Sequence, residues 1–158
     1  MIEIGRLSTP EDAQHCANLM ASSEPWISIG RTVEESLALV NDPGREVYVA
    51  RDDGAFRGFI ILIVRGALVG YIQIIAVTQE ARGTGVGTEL IRFAEERIFA
   101  EFPNAFLCVT DTNVRARALY ERLGYQLIGE IKDYLMSGRS EFLLRKTIAP
   151  IREFTARK

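Results

Sequence analysis

A strand that ends at Val77, a short polar loop, and glycines at 83, 85 and 87 that open a helix form the most restrictive stretch of this chain. Upstream, Tyr71 to Val77 is a run of strand-forming residues. Downstream, Val86, Leu90, Phe93, Ala94 and Ile98 recur at helical spacing and stop before Pro103. A further β-rich run, Ala105 to Thr110, follows. A strand, helix and strand in this order give two parallel strands joined by a right-handed crossover if both lie in one sheet. The segment Arg82-Gly83-Thr84-Gly85-Val86-Gly87 then occupies the turn into the helix. The first turn of a helix leaves backbone N–H groups unpaired and carries partial positive charge. Glycines let an anion approach those groups without a Cβ in the way, Arg82 adds a cation, and Thr88 offers a hydroxyl. The dinucleotide fingerprint needs a third glycine where Thr88 stands, and a P-loop needs a lysine that this loop lacks. On residues alone the loop is either an anion site or a purely structural turn.

The remaining elements fit around this unit. Residues 2–7 alternate as a half-buried strand. Thr9-Pro10-Glu11-Asp12 starts a helix with Ala13, Cys16, Ala17 and Met20 on its apolar face, ending at Ser22-Ser23-Glu24-Pro25. A second short helix begins at about Thr32, with Val33, Leu37 and Val40 inward, and ends before Asn41-Asp42-Pro43-Gly44. Glu46 to Arg51 and Phe56 to Arg65 are joined through Asp52-Asp53-Gly54, and the latter run reaches Tyr71 to Val77 across Gly66 and Gly70, which makes an antiparallel meander. Asn113 precedes a helical stripe of Ala116, Leu119, Tyr120 and Leu123, closed by Gly124. Tyr125 to Tyr134 and Glu141 to Ile148 are two last strands joined around Ser137-Gly138. The expected architecture is α/β, a mixed and mostly antiparallel sheet with one splayed parallel strand pair and helices on both faces. Residues 1–149 form one domain, followed by a basic tail, 150–158, with Arg152, Arg157 and Lys158.

Composition narrows the partners. With 158 residues, 47% apolar, 25% charged and a formal net charge of −2, the chain has ordinary globular usage and no global field toward nucleic acid or an anionic membrane. Two cysteines, Cys16 and Cys108, have neither disulfide-framework nor metal-ligand spacing, so no metal is expected. The longest apolar run, Phe59 to Val64, is too short to span a bilayer, and no signal-peptide pattern opens the chain. A soluble, cytoplasmic protein is the expectation.

Val77, a four-residue loop and Arg82-Gly83-Thr84-Gly85-Val86-Gly87 resemble the acyl-CoA signature of the GNAT (Gcn5-related) N-acetyltransferases, Arg/Gln-x-x-Gly-x-Gly/Ala. A second pattern of that family, Asn-x-x-Ala-x-x-Leu-Tyr followed by a glycine-aromatic pair, is similar to Asn113, Ala116, Leu119, Tyr120, Gly124 and Tyr125. The element order matches over roughly residues 2–148. The resemblance implies acetyl-CoA as cosubstrate, with the pantetheine arm on the open backbone edge of Ile75, Ala76 and Val77. It places the pyrophosphate on N–H groups from Arg82 through Gly83, Thr84, Gly85, Val86 and Gly87 to Thr88. Asn113 serves as helix cap and contact to the arm, and a backbone N–H near Ile75 serves a tetrahedral oxyanion. The implied reaction is direct attack of a primary amine, on a small molecule or a protein N-terminus.

An alkyl amine with a pKa of about 10.4 must lose a proton before attack, and a thiolate of pKa about 8.5 leaves easily, with a phenol of pKa about 10 able to reprotonate it. The family pattern assigns that acid role to Tyr120, whose other reading is a core tyrosine. No base is evident: Gln73 and Cys108 stand where some relatives carry an acid. Asp111 is the nearest carboxylate by sequence, with a solvated turn residue as its other reading. His15, the only histidine, lies on the first helix and reads as a surface or core residue. Acceptor specificity is assigned to Ser23-Glu24-Pro25-Trp26 and to the last hairpin around Asp133-Tyr134. Trp26 is either an amine contact or a lid over the core. Glu141 to Ile148 is read as an apolar edge strand able to pair with a second copy. Rival readings are a non-catalytic acyl-CoA-binding regulatory module and an acyltransferase with another acyl group or acceptor atom.

Overall fold

The computed structural model describes residues 1–156, and its elements run β1 (Ile2–Arg6), α1 (Pro10–Ala21), α2 (Val33–Val40), β2 (Glu46–Asp52), β3 (Ala55–Ile63), β4 (Tyr71–Val77), α3 (Val86–Phe99), β5 (Asn104–Thr110), α4 (Val114–Arg122), β6 (Gln126–Lys132) and β7 (Ser140–Thr147). The strands form one sheet in the order β1-β2-β3-β4-β5-β7-β6, with β4 and β5 parallel and every other pair antiparallel. Among the described residues no helix is long and apolar enough to cross a membrane.

Two cores flank the sheet. Successive strand residues point to opposite faces, so the unbroken apolar run of β3 feeds both. Ile60 and Leu62 join Leu90, Ile91 and Ile98 of α3 on one face, while Phe59 and Ile61 join Cys16 and Met20 of α1 and Val40 of α2 on the other. The helices begin where side chains cap them. Thr9 Oγ1 accepts from the Asp12 amide at 3.1 Å, and Thr32 and Glu35 form a reciprocal capping box.

Three expectations are corrected. Val33 faces solvent at 38% exposure, and Ser36 is the fully buried residue of that turn. Its hydroxyl donates to the Thr32 carbonyl at 2.9 Å, so burial leaves no polar atom unpaired. Arg65 and Tyr134 lie beyond their strands. Above all, the last strand is not an edge. β7 runs between β5 and β6, because its register with β5 satisfies a full ladder from Asn104↔Thr147 to Thr110↔Glu141, so the edges are β1 and β6. A 3-10 turn at Ile151–Glu153 follows the sheet. Of the basic tail residues, Arg157 and Lys158 lie outside the described residues.

The parallel pair matters most. β4 and β5 are paired only at Tyr71↔Phe106 and Ile72↔Leu107. Gly70 anchors the junction: the Phe106 amide donates to the Gly70 carbonyl at 2.9 Å, Gly70 has φ +84°, and a Cβ there would meet the Asn104 carbonyl oxygen at 2.2 Å. Just past the junction a register shift against β3 inserts Gln73 as an extra residue between Ile72 and Ile74. Such a bulge bends its strand and terminates pairing. Beyond it, Ile74 to Val77 have no strand partner on the β5 side, and a cleft opens between the strands.

Candidate active site

At the carboxyl end of β4 the chain makes a 3-10 turn at Gln79–Ala81 and enters α3 through the glycine loop. Gly83 (φ +76°) and Gly85 (φ +98°) both adopt the left-handed region that favours glycine. Gly85 caps α3 without any side-chain hydrogen bond. The amides of Gly83, Gly85, Val86, Gly87 and Thr88 find no partner among the described residues, whereas those of Arg82 and Thr84 close onto the Gln79 and Ala81 carbonyls at 3.3 Å each. The Thr84 hydroxyl donates to the Ala81 carbonyl at 2.7 Å, so Thr84 shapes the loop. A Cβ at Gly85 would meet nothing within 4 Å, and one at Gly87 would lie 3.7 Å from the Val77 side chain. The loop is therefore an open cradle of free donors next to the end of β4. Arg82 is exposed beside it. Arg115 of α4, not singled out from sequence, brings its guanidinium within 3.7 Å of where a Gly83 Cβ would be. These features fit a pyrophosphate.

The splayed strands frame a cavity of about 200 Å³ lined by Ile74 and Ile75 of β4, Cys108 to Thr110 of β5, Asn113 and Tyr120. Its far wall is the α1–α2 connection, with Trp26 and Arg31, and the approach to β7, with Tyr134, Leu135 and Glu141. Asn113 caps α4, accepting from the Ala116 amide at 3.2 Å, and also faces the cavity. Tyr120 is 7% exposed and accepts or donates no side-chain hydrogen bond to a described residue. Burial pushes its phenol up to about 12, so it is fully protonated at neutral pH. Burial and the neighbouring Cys108 thiol hold the Tyr71 phenol well above its usual range.

Three residues singled out from the sequence, Asp111, Asp133 and His15, sit elsewhere. Asp111 does not line the cavity. Its Oδ2 accepts from the Ser140 amide at 3.1 Å, its own amide donates to the Ser140 carbonyl, and Arg139 lies 3.7 Å from its Oδ1, so it ties the start of α4 to β7. Asp133 likewise accepts from the Gly138 amide at 2.7 Å and shapes the hairpin. His15 is exposed and stacks on Phe56 with ring centroids 5.2 Å apart. Trp26 packs on the α1–α2 core and lines the cavity at once. Glu24 also lines it, but its Oε2 is taken by the Ser28 amide at 3.2 Å and hydroxyl at 2.6 Å.

The carboxylate that the sequence reading missed is Glu141. It is 5% exposed, pairs with Thr110 across β5 and β7, and lines the cavity. Burial raises its pKa, the Thr110 hydroxyl lowers it again, and the nearby Asp111 adds a raising contribution. A glutamate opening a strand reads as solvated when the strand is thought to be an edge. Only the insertion of β7 beside β5 brings it to the cleft.

A parallel strand pair that parts beside a glycine-lined helix N-terminus defines the acetyltransferase fold class. The model of the acetyltransferase (GNAT) family matches residues 13–125, and the chain belongs to that family. An uncharacterized N-acetyltransferase of Methanocaldococcus jannaschii is 35% identical over 104 residues, 63% of this chain and 64% of that protein. The N-alpha-acetyltransferase RimI of Mycobacterium tuberculosis is 29% identical over 153 residues, 92% of each chain. The chain spans just under two thirds of the length of the first curated relatives it matches. In fold, an aminoglycoside 6'-N-acetyltransferase complexed with coenzyme A superposes with a TM-score of 0.76 at 18% identity, over 94% of this chain and 98% of the other.

Proposed function

We propose that this protein transfers an acetyl group from acetyl-CoA to a primary amine. One observation carries the reading: the cradle of free amides at 83–88 and the cavity holding Tyr120 and Glu141 lie along the same unpaired edge of β4. Acetyl-CoA supplies an acetyl group activated as a thioester. The amides of Gly83, Gly85, Val86, Gly87 and Thr88, with Arg82, hold the pyrophosphate, while the open backbone groups of Ile75 and Val77 and the cap residue Asn113 take the pantetheine arm; Ala76 between them is turned toward Phe59 of β3 and is not open. Ile75, past the bulge and lining the cavity, offers its backbone N–H to the developing oxyanion in this reading.

An acceptor amine arrives mostly as ammonium. Glu141, rather than Asp111, is the carboxylate that takes its proton, because Glu141 faces the cavity and Asp111 is spent on Ser140. A carboxyl raised by burial is a stronger base when ionised. Tyr120 then gives its proton to the departing thiolate. The regulatory-module reading gained its force from a missing base, and a buried glutamate in the cleft removes that motive. An N-alpha-acetyltransferase among the relatives and an aminoglycoside 6'-N-acetyltransferase among the fold neighbours both act at nitrogen, as this reading requires. Calorimetry with acetyl-CoA, desulfo-CoA and ATP tests the donor. Both coenzyme A compounds should bind more tightly than ATP, and tighter binding of ATP contradicts the assignment.

A further inference from the structure

Arg31 carries a charge that the fold does not answer. It lies at the end of the α1–α2 connection, where its amide donates to the Trp26 carbonyl at 3.0 Å, and its side chain lines the cavity. Its Nε is buried and has no hydrogen-bond partner among the described residues. A guanidinium cannot shed its proton to escape burial, so an unpaired buried donor on it is costly. Three other half-buried arginines, Arg45, Arg51 and Arg97, pair with Asp42, Asp12 and Glu46, and Arg31 alone among the arginines has a buried nitrogen without a partner among the described residues. Arg31 makes no such pair among the described residues, although Glu24 lines the same cavity, because the Glu24 carboxylate is held by Ser28.

We infer that the acceptor carries a carboxylate as well as its amine, and that Arg31 receives the carboxylate while the amine faces Glu141. The inference rests on the acetyl-transfer reading for the identity of the amine-binding end. Among the described residues Arg31 is the one cation lining the cavity, and none of residues 82–88 lines it, so the guanidinium is separate from the phosphate cradle. A single guanidinium fork matches one carboxylate in two parallel hydrogen bonds. With Glu24 and Glu141 in the same wall, a doubly charged phosphate is disfavoured. A zwitterionic acceptor meets both ends of the charge pattern. Two sources share this chemistry: a free amino acid, and a peptide N-terminus with an acidic residue close behind it.

The test uses the full chain loaded with desulfo-CoA and matched ligands that differ only in carboxylate against carboxamide. The pairs are alanine and alaninamide, 4-aminobutyrate and 4-aminobutyramide, and the peptide amides Ala-Asp-Ala and Ala-Asn-Ala, titrated by calorimetry. In at least one pair the carboxylate member should bind about tenfold more tightly. Arg31→Gln should erase that preference with desulfo-CoA affinity and melting temperature unchanged, and Arg31→Lys should restore part of it. A response from the free acids points to an amino acid, and one from the peptide pair points to an N-terminus. Equal binding within every pair, no binding by any, or a preference that survives in Arg31→Gln overturns the inference. Failure of the acetyl-transfer reading looks different, as loss of desulfo-CoA binding itself.

Discussion

Tyr120 belongs to two structures at once, a helix stripe that packs on the core through Leu119 and Leu123 and the wall of the cleft. Its ring meets Tyr125 edge to face at 6.2 Å, which fixes the phenol without using its oxygen. Tyr120→Phe should keep that packing and lose only the proton. We expect kcat to fall about 100-fold with little change in the affinity for acetyl-CoA, measured by steady-state kinetics and calorimetry. Unchanged turnover would remove Tyr120 from the acid role. Glu141 predicts a pH effect of definite sign. Because a base must be ionised, wild-type kcat/KM should fall as pH drops through the raised Glu141 pKa. Glu141→Gln should lower kcat about 100-fold and take that limb out of the profile. An acid limb that persists unaltered in the variant assigns it to another group.

At the scale of elements, the cleft depends on how β4 leaves β5. Gly70 holds the only paired end of the two strands, and the bulge at Gln73 starts their separation. Arg45 Nε donates to the Gln73 Oε1 at 2.7 Å and holds the bulged residue from β2's side. Gly70→Ala places a Cβ 2.2 Å from the Asn104 carbonyl oxygen and 2.9 Å from Ile98 Cγ2, at a positive φ. Something must shift, and the backbone of β5 cannot yield without moving the cleft. The expected loss is about 2–4 kcal/mol of stability in urea unfolding, with weaker acetyl-CoA binding in the fraction that folds. Wild-type stability in this variant would show that the junction is not rigid.

For the whole molecule, most of the plan was legible from period alone. The alternating Ile2 to Leu7, the two-faced run of β3 and the helical stripe Val86 to Ile98 named their elements because each obeys one period and one face. The glycine loop was legible because positive φ and a free helix end demand particular residues. What stayed hidden depends on pairing between distant strands. Nothing within residues 126–148 says that β7, not β6, lies beside β5, so the strand beginning at Glu141 read as an edge and Asp111 was the carboxylate nearest by sequence. Arg31 was invisible for a related reason: an unpaired charge is recognised only once its surroundings are known. The true edges are β1 and β6, and β6 exposes Leu127 and Ile128.

The central claim is that this cleft moves an acetyl group onto an amine. Its most direct test is to incubate the protein with acetyl-CoA and a panel of primary amines and peptide N-termini, and to follow free thiol and acceptor mass together. The account predicts coenzyme A release matched mole for mole by an N-acetylated acceptor, and sharply reduced in Tyr120→Phe. Tight acetyl-CoA binding with no acetylated product from any amine in the panel would contradict it.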